Sequence, residues 1–161
     1  RIARRARAIA ELGAGCGLVG LAAAHACQTS GGQVVLTDVA AEVLTTLRRN
    51  AVAAPSSVEV QVRYLCWGSA AGVDSEALRA LCEREAGGGF DGIDQLETGT
   101  APQEQTAPPR LERGRRFDLL LAADCTYEWS QCETLAATVA ERLADGGVAL
   151  VASSLRPGGC E

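Results

Sequence analysis

The stretch "ELGAGCGLVG", residues 11–20, has four glycines within eight positions and stands at the head of an apolar run. The apolar residues 6–12 predict a short strand, and the Ala-rich run 18–27 predicts a helix. Glycines in a turn between a strand and a helix let the backbone approach a ligand where a Cβ atom would collide. The stretch therefore predicts a strand, a ligand-binding turn and a helix.

The rest of the chain alternates between strand and helix patterns. "SVEVQVRYL" alternates apolar and polar residues, and "FDLLLAAD" is a largely apolar run of the kind found in central parallel strands. We predict strands at 6–12, 33–38, 57–65, 117–124 and 148–153, and helices at 18–27, 39–53, 74–86 and 133–143. This order predicts an α/β fold with a Rossmann-like, doubly wound, mostly parallel sheet of five strands.

Length and composition predict a single domain over residues 1–161. With 161 residues, 47% of them hydrophobic, the chain is long enough to bury one core. Residues 87–116 contain three prolines and a long polar run, which predicts a low-complexity, disordered surface insertion. The sequence contains no Met, so we interpret it as a fragment of a longer protein.

Charge and cysteine content argue against several classes of protein. A net charge of −5 and a pI near 5.0 disfavour nucleic acid as a partner, because nucleic-acid-binding proteins present a basic face. No apolar stretch reaches the roughly 20 residues that span a bilayer, so we expect no membrane partner. Seven irregularly spaced cysteines and one histidine suit neither a disulfide framework nor a zinc site. We expect free thiols, no metal and a cytoplasmic location, with the nucleus as the alternative.

The glycine turn fits two cofactor patterns at once. Gly15-x-Gly17-x-x-Gly20 is the dinucleotide fingerprint, whereas Glu11-x-Gly13-x-Gly15-x-Gly17 is the pattern of an S-adenosylmethionine (SAM) site. An acid at the tip of the second predicted strand, 21 residues after Gly17, suits the ribose of either cofactor. Glu11 favours SAM, because dinucleotide folds usually have an apolar residue there. In the alternative, Glu11 has a purely structural role and forms a hydrogen bond to a backbone amide or an ion pair with an arginine.

Four landmarks occur in the order of a known family: "ELGAGCGLVGLAAA" (11–24), "VVLTD" (34–38) followed by "LRRNA" (47–51), "LCWG" (65–68) and "AADCTY" (122–127). The chain resembles the seven-strand SAM-dependent methyltransferases, and within them the family-16 group of protein methyltransferases, many of which modify lysine. The last landmark contains that group's D-x-x-Y motif. The resemblance thus implies a methyltransferase-like domain that uses SAM.

The resemblance also implies which residues contact the cofactor. They are Glu11, Gly13, Gly15 and Gly17 in the cradle, Asp38 at the ribose, Trp67 against the adenine, and Ala123 through its backbone. An indole after the third strand offers a large stacking face, although Trp67 as a plain core residue is the alternative.

Asp124 and Tyr127 are the candidate catalytic residues. They follow the fourth predicted strand, at the edge where open parallel sheets bind ligands. A carboxylate and a phenol there could bind a lysine ammonium and orient the amine after it loses its proton to water. In the alternative, Asp124 caps the next helix and Tyr127 packs on it.

The sixth and seventh strands of the family are absent from the pattern, so the resemblance covers the cofactor half and leaves the acceptor pocket unsupported. The first hypothesis is a SAM-dependent methyltransferase that acts on a protein side chain, with lysine as the acceptor. A catalytically silent relative that binds SAM or a partner protein is the alternative. An NAD(P)-linked oxidoreductase ranks below both, because it leaves Glu11, Trp67 and the D-x-x-Y motif without a role.

Overall fold

A computed structural model of the chain describes residues 5–27, 31–68, 109–127 and 129–154. Within these ranges the elements follow the order β1 (Ala8–Leu12), α1 (Leu18–Ala26), β2 (Gln33–Asp38), α2 (Ala41–Ala51), β3 (Glu59–Tyr64), β4 (Phe117–Ala123), α3 (Trp129–Arg142) and β5 (Leu143–Ala152). The predicted helix 74–86 lies outside the described residues.

The five strands lie parallel in one sheet, in the order β3-β2-β1-β4-β5. The chain builds outward from β1 to β3 on one side, then continues on the other side of β1 with β4 and β5. This reversal creates a crevice at the carboxyl ends of β1 and β4, where open α/β sheets bind ligands. The predicted α/β, Rossmann-like sheet of five parallel strands is confirmed.

The sheet is covered on both faces, and β1 is its most buried strand. Ile9 points to the face on which α1 and α2 pack, and the neighbouring Ala10 points to the face on which α3 packs; both are fully buried. Leu44 and Leu47 of α2 fill the first face, and Leu135 of α3 fills the second. This two-sided burial explains why β1, β2 and β4 read as nearly continuous apolar runs.

The boundary between α3 and β5 differs from the prediction. The sequence pattern predicts a helix to residue 143 and a strand from residue 148, but α3 ends at Arg142 and β5 begins at the next residue. The pairing with β4 jumps from Phe117–Leu143 to Leu119–Val148, so the residues between them, including both glycines, form a bulge. The glycines are therefore a kink within an irregular strand.

Residues 109–116, which the sequence analysis placed in the disordered insertion, pack against the sheet. The Tyr64 backbone exchanges hydrogen bonds with this segment, accepting from Leu111 N–H and donating to the Pro109 carbonyl, both at 3.0 Å. Leu111 is buried, and the buried Arg142 guanidinium donates to the Glu112 carbonyl at 2.7 Å. One apolar side chain and one buried arginine thus order a segment whose composition is polar. Residues 87–108 lie outside the described residues.

Candidate functional site

A cavity of about 570 Å³ opens at the carboxyl ends of β1, β2 and β4. Its volume lies within the range of small-molecule and cofactor sites. Of the nine residues predicted for the site, the cavity brings together eight: Glu11, Gly13, Gly15, Asp38, Trp67, Ala123, Asp124 and Tyr127. Gly17 is not among the residues that line it.

Three glycines of the turn have left-handed backbone conformations. Gly13, Gly15 and Gly17 have φ angles of 64°, 52° and 82°, which L side chains rarely adopt. Gly13 also lies against the cavity wall: a Cβ there would stand 2.8 Å from Cys125 Cβ and 3.0 Å from Trp67 Cζ2. The absence of a side chain at Gly13 therefore lets the indole close against the turn.

Gly17 serves packing rather than the cavity lining. It precedes the first residue of α1, and a Cβ there would stand 2.8 Å from Leu47 Cδ2. Its glycine lets α2 pack closely against the turn. The resemblance implies a place in the cradle for Gly17, and in the structure Gly17 fixes the bend of the turn without lining the cavity.

Gly20 makes room for the carboxyl of Glu11. Its N–H donates to Glu11 Oε2 at 2.9 Å, and a Cβ at this position would stand 2.6 Å from the same oxygen. The third glycine of the dinucleotide fingerprint therefore has a structural role that involves no phosphate. A Cβ at Gly20 would also stand 2.3 Å from Leu36 Cδ2, so packing against β2 requires a glycine there as well.

Glu11 is a buried acid that also lines the cavity. It is 3% exposed, and no arginine, lysine or histidine pairs with it in the described ranges. Burial raises the pKa of its carboxyl to about 7, the amides of Gly20 and Val19 lower it in part, and the nearby charge of Asp38 raises it further. The hydrogen bonds to backbone amides considered as the alternative are present, and Glu11 also lines the cavity.

Asp38 joins the glycine turn to the start of α2. Its Oδ1 accepts from the N–H groups of Val39 at 2.8 Å and Ala40 at 3.2 Å, and its Oδ2 accepts from Gly15 N–H at 3.1 Å. A carboxylate offers about four acceptor sites, so these three bonds leave one on Oδ2, and Asp38 lines the cavity. The backbone thus fixes the orientation of Asp38 before any ligand arrives.

Trp67 forms one wall of the cavity and also packs on the core. The half-buried indole joins the apolar cluster on the α3 face of the sheet. The next residue is fixed to α3, because Gly68 N–H donates to Thr138 Oγ1 at 3.0 Å. Trp67 therefore packs on the core, as the alternative expected, and lines the cavity as well.

The β4 side of the cavity is more exposed. Asp124, at φ 49°, accepts from Ser154 Oγ at 2.9 Å, and its N–H donates to the Ala152 carbonyl at 2.8 Å. Tyr127 is 55% exposed, and its N–H donates to Gln131 Oε1 at 2.6 Å. Because α3 begins only at Trp129, Asp124 is not its N-cap, and that alternative is wrong.

Sequence reasoning missed several residues of the cavity. Cys125, Gln131 and Thr134 line it. Cys125 lies inside the "AADCTY" landmark and Thr134 in the predicted helix 133–143, whereas Gln131 precedes that predicted helix. Burial raises the pKa of the Cys125 thiol to about 11, and the charges of Asp38, Glu11 and Asp124 add to this effect. Cys125 therefore stays protonated at neutral pH and acts as an apolar wall.

The free-thiol expectation holds for only part of the described cysteines. Cys16, Cys27 and Cys125 are free, whereas Cys66 and Cys132 are disulfide-bonded. The expectation is wrong for these two because irregular spacing along a sequence carries no information about which cysteines meet in space. Cys66 lies in the L-x-W-G landmark and lines the cavity.

All charged residues that line the cavity are acidic. Glu11, Asp38 and Asp124 line it, and no basic side chain is found among the lining residues in the described part of the chain. Charges of one sign in a partly closed site attract ligands of the opposite sign. The arrangement favours a cationic ligand.

Within the described residues the structure has neither a metal-binding cluster nor a membrane-spanning helix. No group of three or more acidic, cysteine or histidine side chains is placed to hold a metal ion. No helix in these ranges has the length and apolar character needed to cross a membrane.

The family model described as lysine methyltransferase matches residues 2–79, just under half of the chain. The match includes β1 to β3, and with them the glycine turn, Asp38 and Trp67. It confirms the resemblance to the family-16 methyltransferases that the motifs indicated. No curated protein sequence matches the chain.

Proposed function

We propose that this chain, whose residues 2–79 match the lysine methyltransferase family, uses SAM to methylate a protein side chain, with lysine as the acceptor. The observation that carries the proposal is the acidic character of the cavity: three acidic side chains and no basic side chain among its described lining residues. SAM bears a sulfonium and an ammonium group. A cavity of this size and sign suits such a ligand.

The same contacts argue against a dinucleotide. A dinucleotide pyrophosphate sits on the free amides at the start of the helix after the glycine turn. Here Glu11 accepts from the amides of Gly20 and Val19 in the first turn of α1, and Asp38 accepts from Gly15 N–H in the glycine turn. A pyrophosphate would meet two acids where it needs donors, so the NAD(P)-linked alternative loses its binding site.

In the proposed reaction the residues bind and orient the reactants. Glu11, Asp38 and Trp67 hold the cofactor, which supplies an electrophilic methyl group when bound. Asp124 and Tyr127 lie at the open side of the cavity, where they can receive a cationic side chain. The acceptor amine loses its proton to water, and the site aligns the neutral amine with the methyl group.

A labelled-methyl assay tests the proposal. The chain is incubated with SAM carrying a labelled methyl group and with cell extract, and the labelled protein is hydrolysed to identify the modified amino acid. We expect methyl-lysine, and a loss of label with Asp124→Ala but not with the exposed Glu133→Gln. Absence of label from every protein would contradict catalysis and favour the silent relative, and label on another residue type would contradict the lysine assignment.

The partner and the location are part of the same proposal. We propose a protein substrate in the cytoplasm, and neither nucleic acid nor membrane as a partner. The acidic net charge of −5 and the acidic cavity support a basic side chain on a protein as the group that is recognised.

A further inference from the structure

Glu11 is a nearly fully buried carboxyl in an acidic cavity. It lies at the end of β1, is 3% exposed and lines the cavity. In the described residues the only hydrogen-bond donors to its carboxyl oxygens are amides of α1, with Gly20 N–H at 2.9 Å from Oε2. An unpaired buried carboxylate is costly, so the ligand-free protein favours its neutral form.

The groups around Glu11 add to this preference. The titratable residues that line the cavity besides Glu11 are Cys16 in the turn, Asp38 after β2, and Asp124, Cys125 and Tyr127 after β4. The residues that the helices contribute are not titratable: Leu18 and Val19 from α1, Val43 from α2, and Gln131 and Thr134 from α3. None of these groups is a cation. Burial raises the pKa of Glu11 to about 7, the amides of Gly20 and Val19 lower it in part, and the charge of Asp38 raises it further.

We propose, on the basis of the proposed function, that Glu11 couples cofactor binding to proton release. In the ligand-free protein at neutral pH a large fraction of Glu11 carries a proton. A cationic cofactor in the cavity stabilises the carboxylate, so the O–H bond of Glu11 breaks and the proton leaves to solvent as SAM binds. Glu11 thereby makes the site select for the charged cofactor.

The coupling has a quantitative consequence. If SAM binds the ionised form, the apparent Kd scales inversely with the ionised fraction. For a group with a pKa of about 7, SAM affinity should fall about tenfold from pH 8 to pH 6. Binding at pH 7 should release about half a proton from Glu11. The demethylated product has lost the sulfonium charge, so its binding should depend less on pH.

Calorimetric titration of the chain with SAM, in buffers of different ionisation enthalpy, measures the protons released. The amino group of SAM also exchanges protons near this pH, so Glu11→Gln gives the background and Glu133→Gln is the matched control. We expect the Glu11→Gln count to be lower than wild type by about half a proton at pH 7, and the Glu133→Gln count to equal wild type.

An infrared difference spectrum of the wild-type protein provides a second readout that needs no variant. Adding SAM should remove a carboxylic-acid carbonyl band and add a carboxylate band. SAM binding with equal proton counts in wild type and Glu11→Gln, or with no change in the carboxyl bands, would overturn this inference and leave the proposed function intact. Failure of SAM to bind the folded wild-type chain would overturn both.

Discussion

The two sides of the cavity differ in burial and in the number of backbone hydrogen bonds that fix their side chains. On the side of β1 and β2, Glu11 is 3% exposed, and Asp38 accepts three backbone hydrogen bonds. On the side of β4, Tyr127 is 55% exposed and Trp129 is 64% exposed. The first side is preorganised by buried backbone contacts, and the second is open to solvent.

This difference indicates a division of roles. A preorganised site binds one ligand with little loss of conformational freedom, which suits a cofactor of fixed structure. An open rim with an exposed acid and phenol suits a partner that completes the site when it arrives. Changes on the first side should therefore alter cofactor affinity or stability, and changes on the second should alter turnover.

The largest expected effect is on the open side. Asp124→Asn should lower kcat by about 100- to 1,000-fold while changing the SAM Kd by less than about threefold, because the acceptor and not the cofactor loses its carboxylate. Single-turnover methyl transfer and calorimetric SAM titration measure the two quantities. A parallel loss of SAM affinity would contradict the division of roles.

The buried side of the cavity should make the stability of the fold depend on pH between 5 and 8. The folded pKa of Glu11 is raised to about 7 from 4.5, so its protonation stabilises the fold. That stability is fully present below about pH 4.5 and is lost as the pH rises through 7. From pH 5 to pH 8 the ligand-free protein should lose about 2 to 3 kcal/mol through Glu11.

Urea unfolding at both pH values checks this result. Glu11→Gln should lack this component, whereas Asp124→Asn should keep it because Asp124 is exposed. The same pH dependence in wild type and Glu11→Gln would show that another group is responsible.

Asp38 offers a matched comparison between two carboxylates that hold backbone amides. Asp118 Oδ2 accepts from Arg7 and Ala8 N–H at the opposite end of β1, at 2.9 and 3.0 Å. Asp38→Ala should weaken SAM binding about 30-fold, or about 2 kcal/mol, because it removes a charged acceptor in the cavity. Asp118→Ala should lower stability without changing the SAM Kd, and equal SAM affinity in wild type and Asp38→Ala would remove Asp38 from the site.

The smallest expected effect distinguishes backbone strain at a glycine of the turn from a steric collision of the new side chain. Gly13→Ala and Gly15→Ala share the cost of a positive φ, but only at Gly13 does the new Cβ collide, with Cys125 and Trp67; at Gly15 nothing lies within 4 Å. Gly13→Ala should be about 1 kcal/mol less stable than Gly15→Ala. Thermal unfolding measures the difference, and equal stabilities would show that the indole does not close on the turn.

The first half of the fold was predictable from the sequence, because local patterns and buried faces agree there. β2 matches its predicted range, and the turn, Asp38 and Trp67 meet as the motifs indicated. The start of β5 was not predictable, since Gly146 and Gly147 suit a helix end as well as a bulge. The order of 109–116 depends on Arg142, whose burial against that segment no local pattern reveals.

The hydrogen bonds between side chains and backbone at the site could not be predicted from the sequence either. From the sequence, the Gly20 amide could bind a phosphate or the carboxyl of Glu11. The hydrogen bond from Gly20 N–H to Glu11 Oε2 distinguishes the two. The dinucleotide motif and the SAM motif therefore share the same glycines in the sequence. They differ in the acceptor to which the helix amides donate their hydrogen bonds.

Calorimetric titration of the chain with SAM and, separately, with NAD tests the central claim most directly, since the cavity is held to accept a cationic nucleoside and to reject a pyrophosphate. The account predicts saturable heat with SAM, weakened in Asp38→Ala, and none with NAD. Saturable heat with NAD and none with SAM would contradict it.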